Sequence, residues 1–427
     1  MIRYVRYVSL TLAIFLFMAA AKAQRQPDRI FMPNIKTVKL YPFGNPLGYP
    51  IIPLNSNELL ELHFDDLDAD VKMYYFSFEL CNADWTPVQM SYFDYVKGFT
   101  RVRITTYRNS SLSLTRYTHY QATLPDRNAM PTKSGNYLLK VFLNGDTSQL
   151  AFTRRFLVVD KRLDVAAQVT QPFNQQYFLT HHRLEVAVNS RGFDIRYPNQ
   201  QLKVDILQNY RWDTRLQLRN PSFLRTDQIT YNNENDMVMP AGKEWRWANL
   251  RSFRLLGDRV QSQRNTDSSF TLIMQEENPR QPNQYFYFND QNGLFLNETT
   301  ENINPFWNAD YAKVRFRFAP PNRRPYPNKE LYLIGELTSY GHTDSARMRF
   351  NPETGAYETT LFLKQGYYDY MYATREGPQS PLTTDLPEQN AWETENNYMV
   401  LVYFRELGGR YDQLVGIVRL NSQFRRN

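Results

Sequence analysis

The chain has 427 residues and a formal net charge of +7, long enough for two to four domains that each bury a core. Its 30 tyrosines and 28 phenylalanines favour strands over helices, and no internal segment carries a long 3.6-residue apolar period. Basic and aromatic residues interleave at Arg211-Trp212 and Trp245-Arg246-Trp247, yet no lysine–arginine block tracks a phosphate backbone, so nucleic acid is excluded as a partner.

Residues 1–23 read as a secretory signal peptide. Arg3 and Arg6 form its charged start, Val8 to Ala21 its apolar run, and Ala21-Lys22-Ala23 its small-residue cleavage site, leaving Gln24 as the new N-terminus. At about 14 residues the run is too short to span a bilayer, and no later segment approaches that length, so an exported protein without membrane insertion is expected. Three of the positive charges, Arg3, Arg6 and Lys22, leave with it. Cys81 is the sole cysteine, which rules out an intramolecular disulfide, and none lies near the cleavage point to carry a lipid anchor. Its phase, opposite to Phe76, Phe78 and Leu80, predicts a half-buried, unreactive thiol.

The first domain is placed at residues 24–160. Leu60, Leu62 and Phe64 alternate with Glu61 and His63, which predicts a strand with one wet face. A turn at Asp65–Asp70 leads to a strand over Tyr74–Leu80, and Trp85 follows where a sandwich buries its large aromatic. Arg101 to Tyr107 alternates charge with apolar bulk, as an edge strand does. Ser134 to Asp160 reads as a closing hairpin: Tyr137, Leu139, Val141 and Leu143 share one face, Asn144-Gly145 supplies the reversal, and Leu150 to Val159 returns. Gly135-Asn136-Tyr137 resembles the tyrosine corner of immunoglobulin-like sandwiches, whose phenol bonds backbone just upstream.

A second β-sandwich domain is placed at 161–307, on the alternation of Leu184, Val186 and Val188 and then of Leu202, Val204, Ile206 and Gln208. Within the polar stretch 258–297 a long surface loop is expected around Gln261–Ser268. A third domain is placed at 310–427. It takes strands at Leu331–Ile334, Met348–Phe350 and Tyr357–Leu363, and then Gly366–Tyr372, whose opening echoes Gly135-Asn136-Tyr137. This run resembles immunoglobulin-like early-set modules that precede or bind α-glucans. The fold expected is therefore all-β, tandem immunoglobulin-like β-sandwiches behind a cleaved signal peptide.

Chemistry finds little footing. Asp66, Asp68 and Asp70 have the spacing of a calcium loop, but Val71 stands where glycine is required and Ser77 where glutamate closes the loop. Asn289 to Gly293 reads as a plain β-turn. His181 and His182, adjacent on a strand, point to opposite faces and cannot share a metal. No nucleophile elbow, zinc-protease helix or phosphate-cradling loop occurs. No catalytic residue, metal, cofactor or small-molecule substrate is expected, and the chain does not read as an enzyme. For an exported carbohydrate-binding protein, the alternative reading, Tyr340 and Trp392 are the candidate sugar-stacking aromatics.

Asn82-Ala83-Asp84-Trp85, Tyr117-Thr118-His119-Tyr120, Ser134-Gly135-Asn136-Tyr137 and Arg154-Arg155-Phe156 resemble the first domain of the type IX secretion system plug proteins. Gln208 to Asp213, Ala241 to Trp247 and the stretch from Thr394 to Gly416 extend the resemblance. Trp245 and Trp247 depart from it by standing where phenylalanine is expected. The resemblance implies a non-catalytic periplasmic subunit at the inner face of the outer membrane. Its partner would be the giant β-barrel translocon, whose periplasmic opening it occludes when no cargo is engaged. The translocon contact residues are not assignable from sequence.

Overall fold

The computed structural model describes residues 27–282 and 284–423; the expected signal peptide, its cleavage site and Gln24 lie outside the described residues. Strands carry almost all regular structure, and among the described residues the only α-helices are the single turns Pro198–Gln201 and Glu234–Met237. The all-β expectation holds.

In the first unit the Gly135–Leu143 and Leu150–Val159 strands pair antiparallel, with Tyr137 opposite Phe156. Asn144 and Gly145 take φ of 55° and 70° at the reversal, where small or absent side chains avoid the left-handed clash. This hairpin sits in a sheet ordered Arg29–Ile30, Leu150–Val159, Gly135–Leu143, Tyr74–Cys81, Val102–Arg103. A facing sheet runs Ile35–Pro42, Leu60–Asp66, Thr118–Leu124, Thr106–Asn109, and Leu62, Phe64, Phe78, Val141 and Phe156 fill the space between. Tyr137 donates its hydroxyl to the Lys133 carbonyl at 2.9 Å, which makes the corner. Tyr368 repeats it on the Lys364 carbonyl at 2.6 Å.

The sheets group the rest of the chain differently from the contiguous domains 161–307 and 310–427. A sheet of Asp164–Thr170, His181–Asn189, Gln228–Tyr231 and Phe223–Arg225 faces another ordered Leu216–Leu218, Leu202–Gln208, Asn397–Phe404, Gln413–Asn421. The C-terminal hairpin therefore completes the second unit, and Val186, Val204, Val400 and Val402 share one core. The third unit is inserted between. Its curled nine-stranded sheet joins Arg246–Asn249, Val260–Asn265, Phe270–Glu277 and Phe295–Asn297 to the strands between Tyr311 and Arg375. Sequence alternation sets which face a strand buries but not which distant strand it pairs with.

Four local expectations change for related reasons. The second face of Leu60–Asp66 is dry rather than wet: His63 and Asp65 are buried under Phe306, Tyr311 and Lys364 of the third unit. Cys81 is fully buried because that end of its sheet is covered by the second unit, and burial pushes its thiol up to about 12. Residues 101–107 split into two edge strands, Val102–Arg103 on one sheet and the start of Thr106–Asn109 on the other. Gln261 to Asn265 is a strand rather than a loop, its polar residues tolerated because it lies at a sheet edge.

Candidate functional site

The three units meet around a cavity of about 670 Å³. The first unit supplies Asp28, Tyr49, Trp85 and Arg155, the second Tyr210, Trp212 and Asp213, and the third Glu336, Tyr340 and His342. Trp85 is thus not the core aromatic of a sandwich. It lies half-buried at this junction, at a φ of 67° in the turn after Tyr74–Cys81, edge-on to Trp212 with ring centroids 4.9 Å apart. The Arg155 guanidinium stands 5.4 Å from both indole rings, and its Nε donates to Asp28 at 2.6 Å. Trp212 donates its ring N–H to the Tyr49 hydroxyl, which leaves that indole without a free donor.

Two guanidiniums in the junction have acidic partners within it, Arg155 on Asp28 and Arg211 on Asp213, whereas Arg154, also in the lining, donates to the Thr153 and Val38 carbonyls. Burial alone would raise the Asp213 carboxyl, but the Arg211 guanidinium 2.6 Å away outweighs it and holds the group below its ordinary value. Arg211 also stacks over the Tyr340 ring at 5.5 Å, joining the second unit to the third. Asp205 is pushed up to about 6 by burial, with Arg215 at 3.3 Å only partly offsetting it. Burial lowers His342, and none of the described hydroxyls hydrogen-bonds its ring, so no nucleophile–base pair is assembled here. The arrangement joins the three units.

Two more joints surround the cavity. Between the first and second units, Leu157, Leu207, Met399 and Leu401 form an apolar layer, and the Tyr403 hydroxyl donates to Asn136 Oδ1 at 2.8 Å. Asp412, buried, accepts from the Ala83 amide at 3.0 Å, from Lys203 at 2.9 Å and from Arg405 at 2.8 Å. Between the first and third units, Asp65 accepts from Lys364, Tyr311 and His119, each at 2.6 Å. Burial would raise Asp65, but the Lys364 ammonium and the His119 bond hold it down. Lys39 adds a bond to Glu336 at 2.6 Å. Sequence reading missed these joints. The available signal was the charged residue in an otherwise buried strand: Asp65, Asp205 and Lys364.

The Asp66–Asp70 turn already holds a cation of its own. The Lys72 ammonium lies 2.9 Å from Asp66 and 3.2 Å from Asp70, and also bonds Asp68. His181 and His182 point apart, as expected. His181 meets Thr180, while buried His182 bonds the Tyr398 hydroxyl and the Trp392 carbonyl, both at 2.8 Å. Tyr340 and Trp392 are not brought together. Tyr340 packs on the Trp245 side of the third unit, and Trp392 lies against the second unit's core with its ring on His182. Asn292 and Gly293 form the expected turn, with φ of 54° and 84° and the Leu294 amide on the Gln291 carbonyl.

Among the described residues, no helix is long and apolar enough to cross a membrane. No curated protein matches the chain. A hypothetical protein from Parabacteroides merdae, solved as a crystal structure, is 30% identical, superposes with a TM-score of 0.88, and aligns over 92% of this chain and 98% of its own. Residues 35–160 match the family described as the type 9 secretion system plug protein 1st domain, the same segment that forms the first unit here. The chain belongs to the type IX secretion system plug protein family.

Proposed function

We propose that this protein is a non-catalytic periplasmic plug. It binds the periplasmic mouth of the type IX outer-membrane β-barrel translocon and closes it by bulk when no cargo is engaged. The observation that carries this reading is the joining of all three units through buried polar contacts, Tyr403 on Asn136 and Lys364 on Asp65, in a member of the plug family. A stopper must resist deformation, and interfaces locked by desolvated hydrogen bonds and an apolar layer hinder the hinge motion that is otherwise the default between domains. Arg155 stands over both indole rings and Trp212 donates to Tyr49, contacts between units that support a structural role for these groups.

Affinity purification from detergent-solubilised outer membranes tests it. The expected result is recovery with a very large β-barrel protein, together with leakiness to bulky antibiotics on deletion only in cells that have the barrel. Recovery solely as a free monomer, with permeability unchanged on deletion, overturns the reading.

A further inference from the structure

A second acidic group differs from the Asp66–Asp70 turn in holding no cation of its own. Glu244 stands at the crossing from the second unit into the third, just before Arg246–Asn249. Glu395 stands on the return crossing, just before Asn397–Phe404. Asp290 precedes the Asn292-Gly293 turn of the third unit. One carboxylate oxygen from each lies within 4.8 Å of the other two. Oxygens spread on a sphere at the 2.3–2.6 Å distance that calcium prefers reach about 5 Å apart, so the three fit its coordination shell.

Their partners do not neutralise them. Glu244 Oε1 accepts from Tyr285 and from the Glu395 amide, and Asp290 accepts from the Trp245 and Asn292 amides. Among the described residues no lysine or arginine forms an ion pair with any of the three; Arg246 pairs with Glu388 and Glu277, and Arg280 pairs with Glu388 while donating to the Glu244 backbone carbonyl. Burial and mutual repulsion push Glu244 up to about 7 and Asp290 up to about 6.

Independent of the carboxylate count, buried oxygens here have no partner. Glu244 is 1% exposed and its Oε2 is orphaned. Asn292 is 7% exposed; its Nδ2 donates to Glu395 Oε2 at 2.9 Å and its Oδ1 has no partner. Native structures rarely leave such atoms unsatisfied without an ion or water. A donor set made only of oxygens selects a hard cation, and irregular loop backbone suits the flexible coordination of calcium over the strict octahedron of magnesium.

We propose that Glu244, Asp290 and Glu395 form a calcium site that ties both chain crossings between the second and third units to the Asp290–Gly293 segment. Bound there, the ion replaces repulsion between the two crossings with shared coordination and fixes the third unit on the second.

The purified full-length protein tests this by terbium luminescence and by thermal melting. Terbium(III) takes calcium's oxygen ligands and is sensitised by a close aromatic, here Tyr285 and Trp245. The expected result is sensitised emission displaced saturably by calcium, and a Tm that rises with the logarithm of calcium, by about 3 °C at about 100 times its dissociation constant. Glu244→Gln/Glu395→Gln loses both responses, and without calcium it melts no lower than the parent because a repulsive group has been removed. Asp68→Asn/Asp70→Asn, at the turn filled by Lys72, keeps both. The proposal is overturned by absent emission together with a flat Tm up to about 10 mM calcium, well above the weakest binding expected of extracellular calcium modules. It is overturned equally if the Glu244/Glu395 variant retains the responses or the Asp68/Asp70 variant loses them. Should the double variant fail to fold, Asp290→Asn gives the same readout.

Discussion

The Lys364 ammonium lies 2.6 Å from the Asp65 carboxylate across 299 positions of sequence, and neither side chain is more than 1% exposed. Burial alone would drive both groups towards neutrality. Mutual attraction, with the His119 and Tyr311 bonds to Asp65 and the Phe306 carbonyl on Lys364, makes the charged pair tenable. Lys364→Met leaves the carboxylate buried and unpaired and is expected to cost about 3–5 kcal/mol in chemical denaturation. Adding Asp65→Asn should recover most of that loss, because removing both charges removes the desolvation they share. A double variant no better than the single one contradicts this account.

His182 gives the pH dependence a sign. One ring nitrogen donates to the Trp392 carbonyl and the other accepts from the Tyr398 hydroxyl, a pattern that requires the neutral imidazole. Burial lowers its pKa to about 4, against about 6.5 in the unfolded chain. A depressed base contributes stability that is fully present above the unfolded value and is lost as pH falls towards the folded one. Between pH 6.5 and 4 the parent should lose about 3 kcal/mol more than His182→Gln. Urea midpoints across that range measure the difference.

The two tyrosine corners are predicted to matter independently. Tyr137→Phe and Tyr368→Phe each remove one buried hydroxyl donor and leave the Lys133 or Lys364 carbonyl short of a partner. Each should cost about 1–2 kcal/mol. The two sit in separate units, so the losses should add in the double variant, as read by denaturant unfolding.

Gly293 and Gly192 separate strain from clash. Both have positive φ, but a Cβ on Gly293 would meet the Trp245 ring at 2.7 Å, while at Gly192 nothing lies within 4 Å. Gly192→Ala should cost about 1–2 kcal/mol for backbone alone. Gly293→Ala should cost about 2–4 kcal/mol and shift the tryptophan emission. Equal losses would contradict the packing argument.

Strand existence was legible where apolar residues alternate: Leu184, Val186 and Val188, or Tyr137, Leu139 and Val141, bury the faces their spacing predicts. What alternation lacks is knowledge of a cover supplied from far along the chain. Glu61 and His63 read as a wet face, yet His63 is sealed by Phe306 at 4.2 Å. Gln261 to Asn265 reads as a loop because an edge strand needs few apolar residues. At the aspartate turn the informative residue is not a missing calcium ligand but Lys72 beside it, whose ammonium meets the three carboxylates. Asp290 reads as part of a turn and stands just before it, but its approach to Glu244 and Glu395 depends on two crossings that no local pattern announces.

Asn397–Phe404 lies along Leu202–Gln208, with Gln208 bonding Tyr398 across 190 positions. During synthesis the earlier strand waits, its edge open and its apolar side bare, while the whole inserted unit is made. That is when wrong pairing with another chain is most dangerous. A premature stop ahead of Asn397 would therefore unmake the second unit while leaving the sheets of the other two complete.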